Sequence, residues 1–350
     1  MKKHAILKFF IILLIPLFMT AVFVVVVDPF FHYHAPIKGI PYTLSEERYQ
    51  NDGIVKHFSY EALITGSSLT QNFKASDVER LWGKTAVKVC FAGASYKETA
   101  ILIDTAIKHN KSLKLVIRGL DISRLSDEKD TMAYDEIPWY MYDDNPFNDY
   151  DYLFNADVIL QSVRNIYRIF KKEKPTTFDE YSNWMSTMTF GREAVISTFT
   201  RIPEGEYVGT PFGEDDKITV KNNLEQNVLS LARNNPDVEF YVFLPPVSVC
   251  YWDAMKRTNS FEYVLDEIKY AYELLFEYDN IKIFGFDDWI EITGNLDYYM
   301  DSNHYSEDIN TMMLECMARG EKLLTKDNYL AYLERVRENY DNYDYDSIFE

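Results

Sequence analysis

Short apolar runs alternate with amphipathic segments along most of the chain. Runs of four to seven mainly apolar residues are typical of buried strands, whereas apolar residues spaced three or four apart are typical of helices. This pattern predicts strands at residues 62–65, 85–91, 113–117, 238–244 and 281–286. It predicts helices at residues 75–82, 96–109, 156–170, 222–234 and 261–278, with another opening at Glu307. Strands that alternate with helices at this interval indicate an α/β fold with a parallel sheet covered on both faces.

The chain begins with a different pattern. Residues 9–27 are apolar and uncharged, with Thr20 as the one polar side chain, and Lys2, Lys3 and Lys8 precede them. About 20 such residues cross the hydrocarbon core of a bilayer, and lysines mark the cytoplasmic side. The apolar run ends in four valines directly before Asp28, and it lacks the small residues of a signal-peptidase cleavage site. We therefore expect residues 1–8 to be cytoplasmic, residues 9–27 to be an uncleaved transmembrane anchor, and the rest to lie outside the cytoplasm at the cell membrane.

Three further segments depart from the alternating pattern. Residues 28–60 are rich in aromatic residues and predict a juxtamembrane connector, in which His32 and His34 fit either a metal site or an interfacial belt of aromatic and histidine side chains. Residues 126–221 are too long for a plain loop and predict an insert or lid within a domain spanning residues 61–325. Its aromatic residues, for example at 139–142, fit either core packing or stacking on sugar rings. Residues 326–350 form an acidic C-terminal tail, and its tyrosine-rich end from Asn339 is expected to be solvated.

Composition excludes several classes of function. The 350 residues carry a formal net charge of −19, which is unsuited to nucleic acid because phosphate binding needs clustered Lys and Arg. The same charge argues against a broad docking surface for anionic lipid. The three cysteines, Cys90, Cys250 and Cys316, have no CxxC spacing and predict neither a disulfide framework nor a zinc site. We expect no cofactor and no metal.

A hydroxyl nucleophile and a matching base are suggested by two motifs. Ser68 follows the first predicted strand in Gly66-Ser67-Ser68, at the sheet edge where open α/β folds bind ligands. His304 follows Asp301 by three residues, after the last predicted parallel strand and just before a helix. A serine nucleophile requires a base, and the base requires an orienting carboxylate. On the residues alone, Gly-Ser-Ser is also an ordinary turn, and Asp301 and His304 also fit simple helix capping.

The order of these motifs resembles the SGNH (GDSL) hydrolase superfamily, and within it the membrane-anchored proteins of teichoic acid D-alanylation and alginate O-acetylation. The matching residues are 66–70, Gly93, Asp301 and His304. The resemblance implies a three-layer α/β/α flavodoxin-like sandwich, with Ser68 as nucleophile, Asp301 and His304 completing a triad, and backbone amides of Ser68 and Gly93 as the oxyanion hole. The chain departs from the family where an asparagine is usual, since residues 119–122 read Gly-Leu-Asp-Ile.

These observations lead to one expectation and two alternatives. The expectation is an exported, membrane-anchored serine esterase or O-acyltransferase that acts on acyl groups of a cell-envelope polysaccharide or its acyl donor. The first alternative is a non-catalytic partner subunit of a membrane-bound O-acyltransferase, which the missing asparagine favours. The second is a lipid esterase. The sequence does not choose between hydrolysis and transfer.

Overall fold

The computed structural model describes residues 2–134, 137–143, 145–205 and 208–349. The chain divides into two compact units. The first consists of residues 1–58 and 134–181, and the second of residues 59–133 and 182–350. The predicted insert is therefore shared between them, because residues 134–181 belong to the first unit and the residues that follow belong to the second.

The described strands all lie in the second unit and the helices lie in both. The strands are β1 (Ala62–Thr65), β2 (Ala86–Lys88), β3 (Leu115–Gly119), β4 (Glu239–Phe243), β5 (Ile281–Phe284) and β6 (Leu323–Leu324). The helices are α1 (Lys2–Val27), α2 (Glu47–His57), α3 (Ala75–Trp82), α4 (Tyr96–His109), α5 (Tyr150–Leu153), α6 (Ala156–Lys171), α7 (Arg192–Thr198), α8 (Glu214–Leu224), α9 (Ser230–Asn234), α10 (Val249–Arg257), α11 (Phe261–Leu275), α12 (Ile290–Thr293), α13 (Glu307–Arg319) and α14 (Tyr329–Asp341).

The six strands form one sheet in the order β2-β1-β3-β4-β5-β6. Strands β1 to β5 are parallel, and only the two-residue β6 is antiparallel. Every residue of β1 and β3 is buried, as expected for central strands covered on both faces. The α/β class and the parallel sheet are thus confirmed. The order 2-1-3-4-5 is a common doubly wound order, and its switch point lies between β1 and β3.

Several element boundaries differ from the sequence prediction. β2 is shorter than predicted, although the N–H groups of Val89 and Phe91 still bond to the carbonyls of Ile64 and Gly66 beyond the strand. The helix predicted at residues 222–234 begins earlier, at α8, and reaches α9 through a π-helical turn at Glu225–Leu229. At this turn the carbonyl of Asn227 accepts a hydrogen bond from the buried guanidinium of Arg118.

The acidic tail begins with a packed helix, and in the end predicted to be solvated the buried Tyr340 and Ile348 alternate with exposed acidic residues. Helix α14 buries Tyr332, Val336 and Tyr340 at helical spacing. The Tyr340 ring stacks on Trp252 with a centroid distance of 4.6 Å, and its hydroxyl donates to Thr293 Oγ1 at 2.8 Å. The buried residues of α14 form a regular apolar stripe, which is hard to recognise in the sequence because Asp, Asn and Glu are abundant around it.

The core of the first unit joins the end of α1 to α6. The buried side chains of this cluster are Val24, Phe30, Met141, Tyr152 and Val158. Tyr140 and Tyr142 pack against them, so the aromatic segment at 139–142 contributes mainly to this core. Among the described residues, no helix is both long enough and apolar enough to span a bilayer.

His32 and His34 have separate partners in this unit. His32 Nε2 lies 3.3 Å from Asp149 Oδ1, whereas His34 Nε2 lies 2.8 Å from the carbonyl of Val25. The two residues are ordered by Asp28, whose carboxylate accepts their backbone N–H groups at 2.9 Å. Within the described ranges, no group of three or more His, Cys, Asp or Glu side chains is arranged to hold a metal ion.

Candidate active site

The turn after β1 places Ser68 at the edge of the sheet. Gly66 has φ 152°, and a Cβ there would approach Thr70 Oγ1 to 2.6 Å, so only glycine fits. Ser67 then caps a three-residue 3₁₀ turn that opens at Ser68, because its Oγ accepts the N–H of Leu69 at 3.3 Å. Gly119, at the end of β3, would also meet Thr70 if it carried a Cβ. Close packing of β3 on this turn therefore fixes the position of Ser68.

The loop after α12 brings a base to this serine. Tyr299 and Tyr305 form an antiparallel bridge that closes the loop containing Asp301 and His304. The Ser68 Oγ lies 2.8 Å from His304 Nε2. His304 Nδ1 lies 2.7 Å from Asp301 Oδ2. The structure thus brings together three of the four predicted site residues, in the order hydroxyl, imidazole, carboxylate.

Asp301 is held as a carboxylate. Its Oδ1 accepts the backbone N–H groups of Asn303 and His304, both at 2.8 Å. Burial would raise the pKa of Asp301, but these hydrogen bonds and its contact with the His304 ring lower it below its usual range. Because an ionised carboxylate only accepts, Nδ1 of His304 must be the protonated nitrogen. The lone pair of Nε2 is then directed at the Ser68 hydroxyl.

The fourth predicted residue, Gly93, is placed differently. It lies in the turn before α4 with φ 66° and is exposed. Its carbonyl accepts a hydrogen bond from Arg124 Nη2 at 3.2 Å. Gly93 does not line the cavity beside Ser68. Its role as an oxyanion donor stays a prediction.

Asp121 occupies the place where the resembling family has an asparagine. Its Oδ1 accepts a hydrogen bond from Ser67 Oγ at 2.8 Å. Burial raises the pKa of Asp121 to about 6, although the hydrogen bond from Ser67 and the charges of Arg124 and His304 act in the opposite direction. This carboxyl therefore changes charge close to neutral pH. The motif at 119–122 marked the position, but nothing in it indicated the perturbed pKa.

A small cavity of about 140 Å³ opens beside Ser68. This is roughly the volume of five water molecules in the liquid. Ser68, His304, Asp121 and Asn303 supply polar groups, and the remaining walls are mostly apolar, from Leu69, Ile122, Ser123, Pro245, Val247 and Tyr251. Asn303 was not predicted as a site residue, although it stands inside the Asp-x-x-His motif.

Trp184 is a further site residue that sequence reasoning missed. Its Nε1–H donates to the backbone carbonyl of Ser68 at 3.3 Å. The edge of the indole meets the His304 ring at a centroid distance of 5.6 Å and an angle of 84°. Its backbone N–H is held by Asn72 Oδ1, and its ring stacks on Phe190. Trp184 therefore shields the serine–histidine pair from one side.

A larger cavity of about 440 Å³ lies elsewhere in the second unit. Its cations are already paired, since Arg201 and Arg257 both contact the carboxylate of Asp253 and Lys256 contacts Asp341. None of Ser68, Asp301 and His304 lines this cavity. The smaller cavity is the better candidate because the nucleophile and base meet in it.

The chain was compared with protein-family models, curated proteins and solved structures. No protein-family model matches the chain, and neither does any curated protein. Among solved structures, the chain is similar to one described as a "putative platelet activating factor" from Streptococcus pneumonia, at 12% identity. That match covers 78% of this chain and 89% of the other, with a TM-score of 0.37. The functional assignment therefore depends on the geometry of the site.

Proposed function

We propose that this protein is a serine esterase or O-acyltransferase of the SGNH type, with a three-layer α/β/α fold. The observation that carries the proposal is the unbroken series from the Ser68 hydroxyl through His304 to Asp301, with distances of 2.8 and 2.7 Å. A capping role for Asp301 and His304 would not require the imidazole to face a serine 236 residues away. The strand order and the site at the β1/β3 switch point are those that the family resemblance implies.

The proposed reaction proceeds through an acyl-enzyme. Ser68 Oγ attacks the acyl carbonyl while its proton passes to His304 Nε2, and Asp301 stabilises the resulting imidazolium. The tetrahedral intermediate collapses, the bond to the leaving oxygen breaks, and His304 returns the proton to that oxygen. Water or a sugar hydroxyl then attacks the acyl-enzyme, with His304 again as the base. The backbone N–H of Ser68, at the start of the 3₁₀ turn, is one donor for the oxyanion.

The size of the cavity bears on the acyl group. A volume of about 140 Å³ accommodates a small acyl group, such as acetyl or alanyl. Acyl groups of this size agree with a cell-envelope polysaccharide or its acyl donor as the proposed substrate. Asp121 supports a second candidate function, because an ionised carboxylate would repel an oxyanion. That candidate is a non-catalytic partner of a membrane-bound O-acyltransferase.

The membrane anchor is part of this proposal. Among its described side chains, helix α1 exposes apolar residues on several sides, including Ile12, Leu14, Phe18 and Met19. The proposed orientation places Glu350 outside the cytoplasm. A carboxyl-terminal reporter that is active only in the cytoplasm should be silent. Activity of that reporter would show that the orientation is wrong.

Labelling by a serine-reactive phosphonate tests the catalytic proposal. The full chain, kept in detergent, should be labelled on Ser68, and Ser68→Ala should abolish both labelling and ester cleavage. Ser67→Ala is the matched control, because Ser67 contacts Asp121 rather than His304, and it should retain a measurable fraction of both. If Ser68→Ala cleaves esters as fast as the parent, the enzyme proposal fails and the partner-subunit function replaces it.

A further inference from the structure

Helix α6 has its polar and apolar faces reversed. In its middle and second half the most buried side chains are Ser162 and Asn165. Leu160, Val163, Tyr167 and Phe170 are instead exposed, Phe170 by 78%. Their spacing of three, four and three residues places them in one stripe along the helix. A surface helix of a soluble domain ordinarily buries such a stripe.

The buried polar side chains of α6 are satisfied locally. Ser162 Oγ donates to the carbonyl of Val158 at 2.8 Å, and Asn165 Oδ1 accepts from Gln161 Nε2 at 3.3 Å. The inner face thus combines the buried Val158 with polar side chains whose hydrogen bonds are formed within the helix. The outer stripe remains uncovered by the described chain, and a contiguous exposed apolar surface marks an interaction site.

Positive charge lies along one flank of this stripe in an otherwise acidic protein. Residues 164–174 contain five cations and one anion, namely Arg164, Arg168, Lys171, Lys172, Lys174 and Glu173. The segment thus has a net charge of 5 − 1 = +4, while the rest of the chain carries −19 − 4 = −23. Arg164 and Lys171, seven residues apart, lie along one flank of the stripe and are exposed. Arg168 is paired with Glu173 at 2.6 Å.

We propose that the stripe of α6 lies on a lipid bilayer surface that contains anionic headgroups. Amphipathic helices of this kind place apolar side chains at the acyl boundary and Lys or Arg at the phosphates. Tyr167, beside Phe170, is a residue type favoured at that boundary. A second copy of the chain fits less well, because a symmetric contact would bring Arg164 and Lys171 against their own counterparts.

The position of α6 within the first unit agrees with a lipid bilayer as the surface that covers the stripe. Val158, in the first turn of α6, shares the cluster of buried residues with Val24 near the end of α1. If α1 is the proposed anchor, α6 starts beside the end of the anchor that leaves the membrane. The inference uses that position but none of the proposed catalytic chemistry, so the two can fail separately.

Fluorescence quenching on the full chain tests the proposal. The native cysteines are buried, so a cysteine introduced at Val163 or Phe170 can be labelled selectively with an environment-sensitive fluorophore. The protein is reconstituted in phosphatidylcholine vesicles with or without phosphatidylglycerol, each carrying a spin-labelled lipid as quencher. Ile169→Cys, an exposed position that lies off the stripe on the same helix, is the matched control. Quenching should be strong at Val163 and Phe170, weaker at Ile169, and greater with phosphatidylglycerol.

Removing the exposed cations beside the stripe distinguishes binding to anionic lipid from other contacts of the helix. Arg164→Gln combined with Lys171→Gln should lower the phosphatidylglycerol-dependent quenching by about tenfold or more, since each cation near an anionic surface contributes about 1 kcal/mol. Ile218→Gln, an exposed substitution in the second unit, should leave it unchanged. Equal quenching at Val163, Phe170 and Ile169, or no response to phosphatidylglycerol, would overturn the proposal. If the labels are shielded from solvent in detergent and this shielding is lost when the protein is diluted, the stripe is covered by a second copy of the chain and not by lipid.

Discussion

Replacement of Asp121 by asparagine should change how activity depends on pH. The carboxyl lines the cavity beside Ser68, and its pKa is raised to about 6 by burial. Below that pH the group is neutral and its hydroxyl is a hydrogen-bond donor; above it the group is an anion next to the developing oxyanion. At about pH 8, two units higher, roughly one hundredth of the protein retains the neutral form. An asparagine side chain at this position would supply a neutral amide donor at every pH.

The expected magnitude follows from these populations. A missing oxyanion-hole donor costs about 10²–10³ in rate, so the ionised form contributes little. Asp121→Asn should therefore exceed the parent by about 10² in kcat/KM near pH 8 and differ by only a few fold near pH 5. The assay is cleavage of a chromogenic acetyl ester over this range. The ratio of variant to parent kcat/KM is compared at each pH.

Ser67→Ala provides an independent check on the same group. The hydrogen bond from Ser67 holds the pKa of Asp121 below the value that burial alone would give. Its loss should shift the decline in activity to higher pH without removing the decline. A ratio of Asp121→Asn to parent that stays constant with pH, or a variant slower than the parent near pH 8, would refute a donor role for the neutral carboxyl.

Three further predictions concern the site and the fold. Asp301→Asn should lower kcat by about 10⁴ and His304→Ala by about 10⁶ in the same ester assay, and equal losses would contradict the orienting role of Asp301. Trp184→Phe, which removes one hydrogen bond to Ser68 but keeps a ring beside His304, should lower kcat by less than about tenfold, whereas Trp184→Ala should lower it more. Burial raises the pKa of Asp287 to about 8 despite a hydrogen bond from a tyrosine, so the folded state binds a proton that the unfolded state releases from about pH 4. The contribution of Asp287 to stability in urea titrations should therefore fall as pH rises from about 4 to about 8, by at most about 1.4 kcal/mol per unit, and Asp287→Asn should remove this contribution.

The sequence predicted the elements whose ends carry explicit signals. β1 and α3 have the predicted bounds because Gly66 and Gly83 adopt positive φ at their carboxyl ends. The bounds of α4 are set by Ser95, whose hydroxyl and the Glu98 carboxylate form a capping box. His304 could be paired with Ser68 because parallel strands present their carboxyl ends at one sheet edge. Capping residues, glycines and sheet topology are therefore sufficient to predict the pairing of Ser68 with His304 from the sequence.

The residues that sequence reasoning missed are positioned by tertiary contacts. Trp184 reaches Ser68 from a segment without periodicity, 116 residues away, so nothing local marks it. The pKa of Asp121 depends on burial and on Ser67, neither of which is visible at residues 119–122. Helix α6 was predicted correctly as a helix, but the pattern alone gave no indication that its apolar stripe points outward.

The contacts that anchor the loop containing His304 also determine how the active site unfolds. The hydroxyl of Tyr305 donates to the carbonyl of Leu69 at 2.9 Å, directly beside the nucleophile. On the other side of the loop, Ser248 donates to the carbonyl of Ser302 through both its N–H and its hydroxyl. Within the loop, the N–H groups of Met300 and Ser306 bond to the carbonyls of His304 and Tyr298. These amide protons should therefore exchange with deuterium about as slowly as those of β1 and β3, although the loop has little regular secondary structure. Nucleophile and base would then be lost together in one cooperative opening, which leaves no partly unfolded species with a free serine.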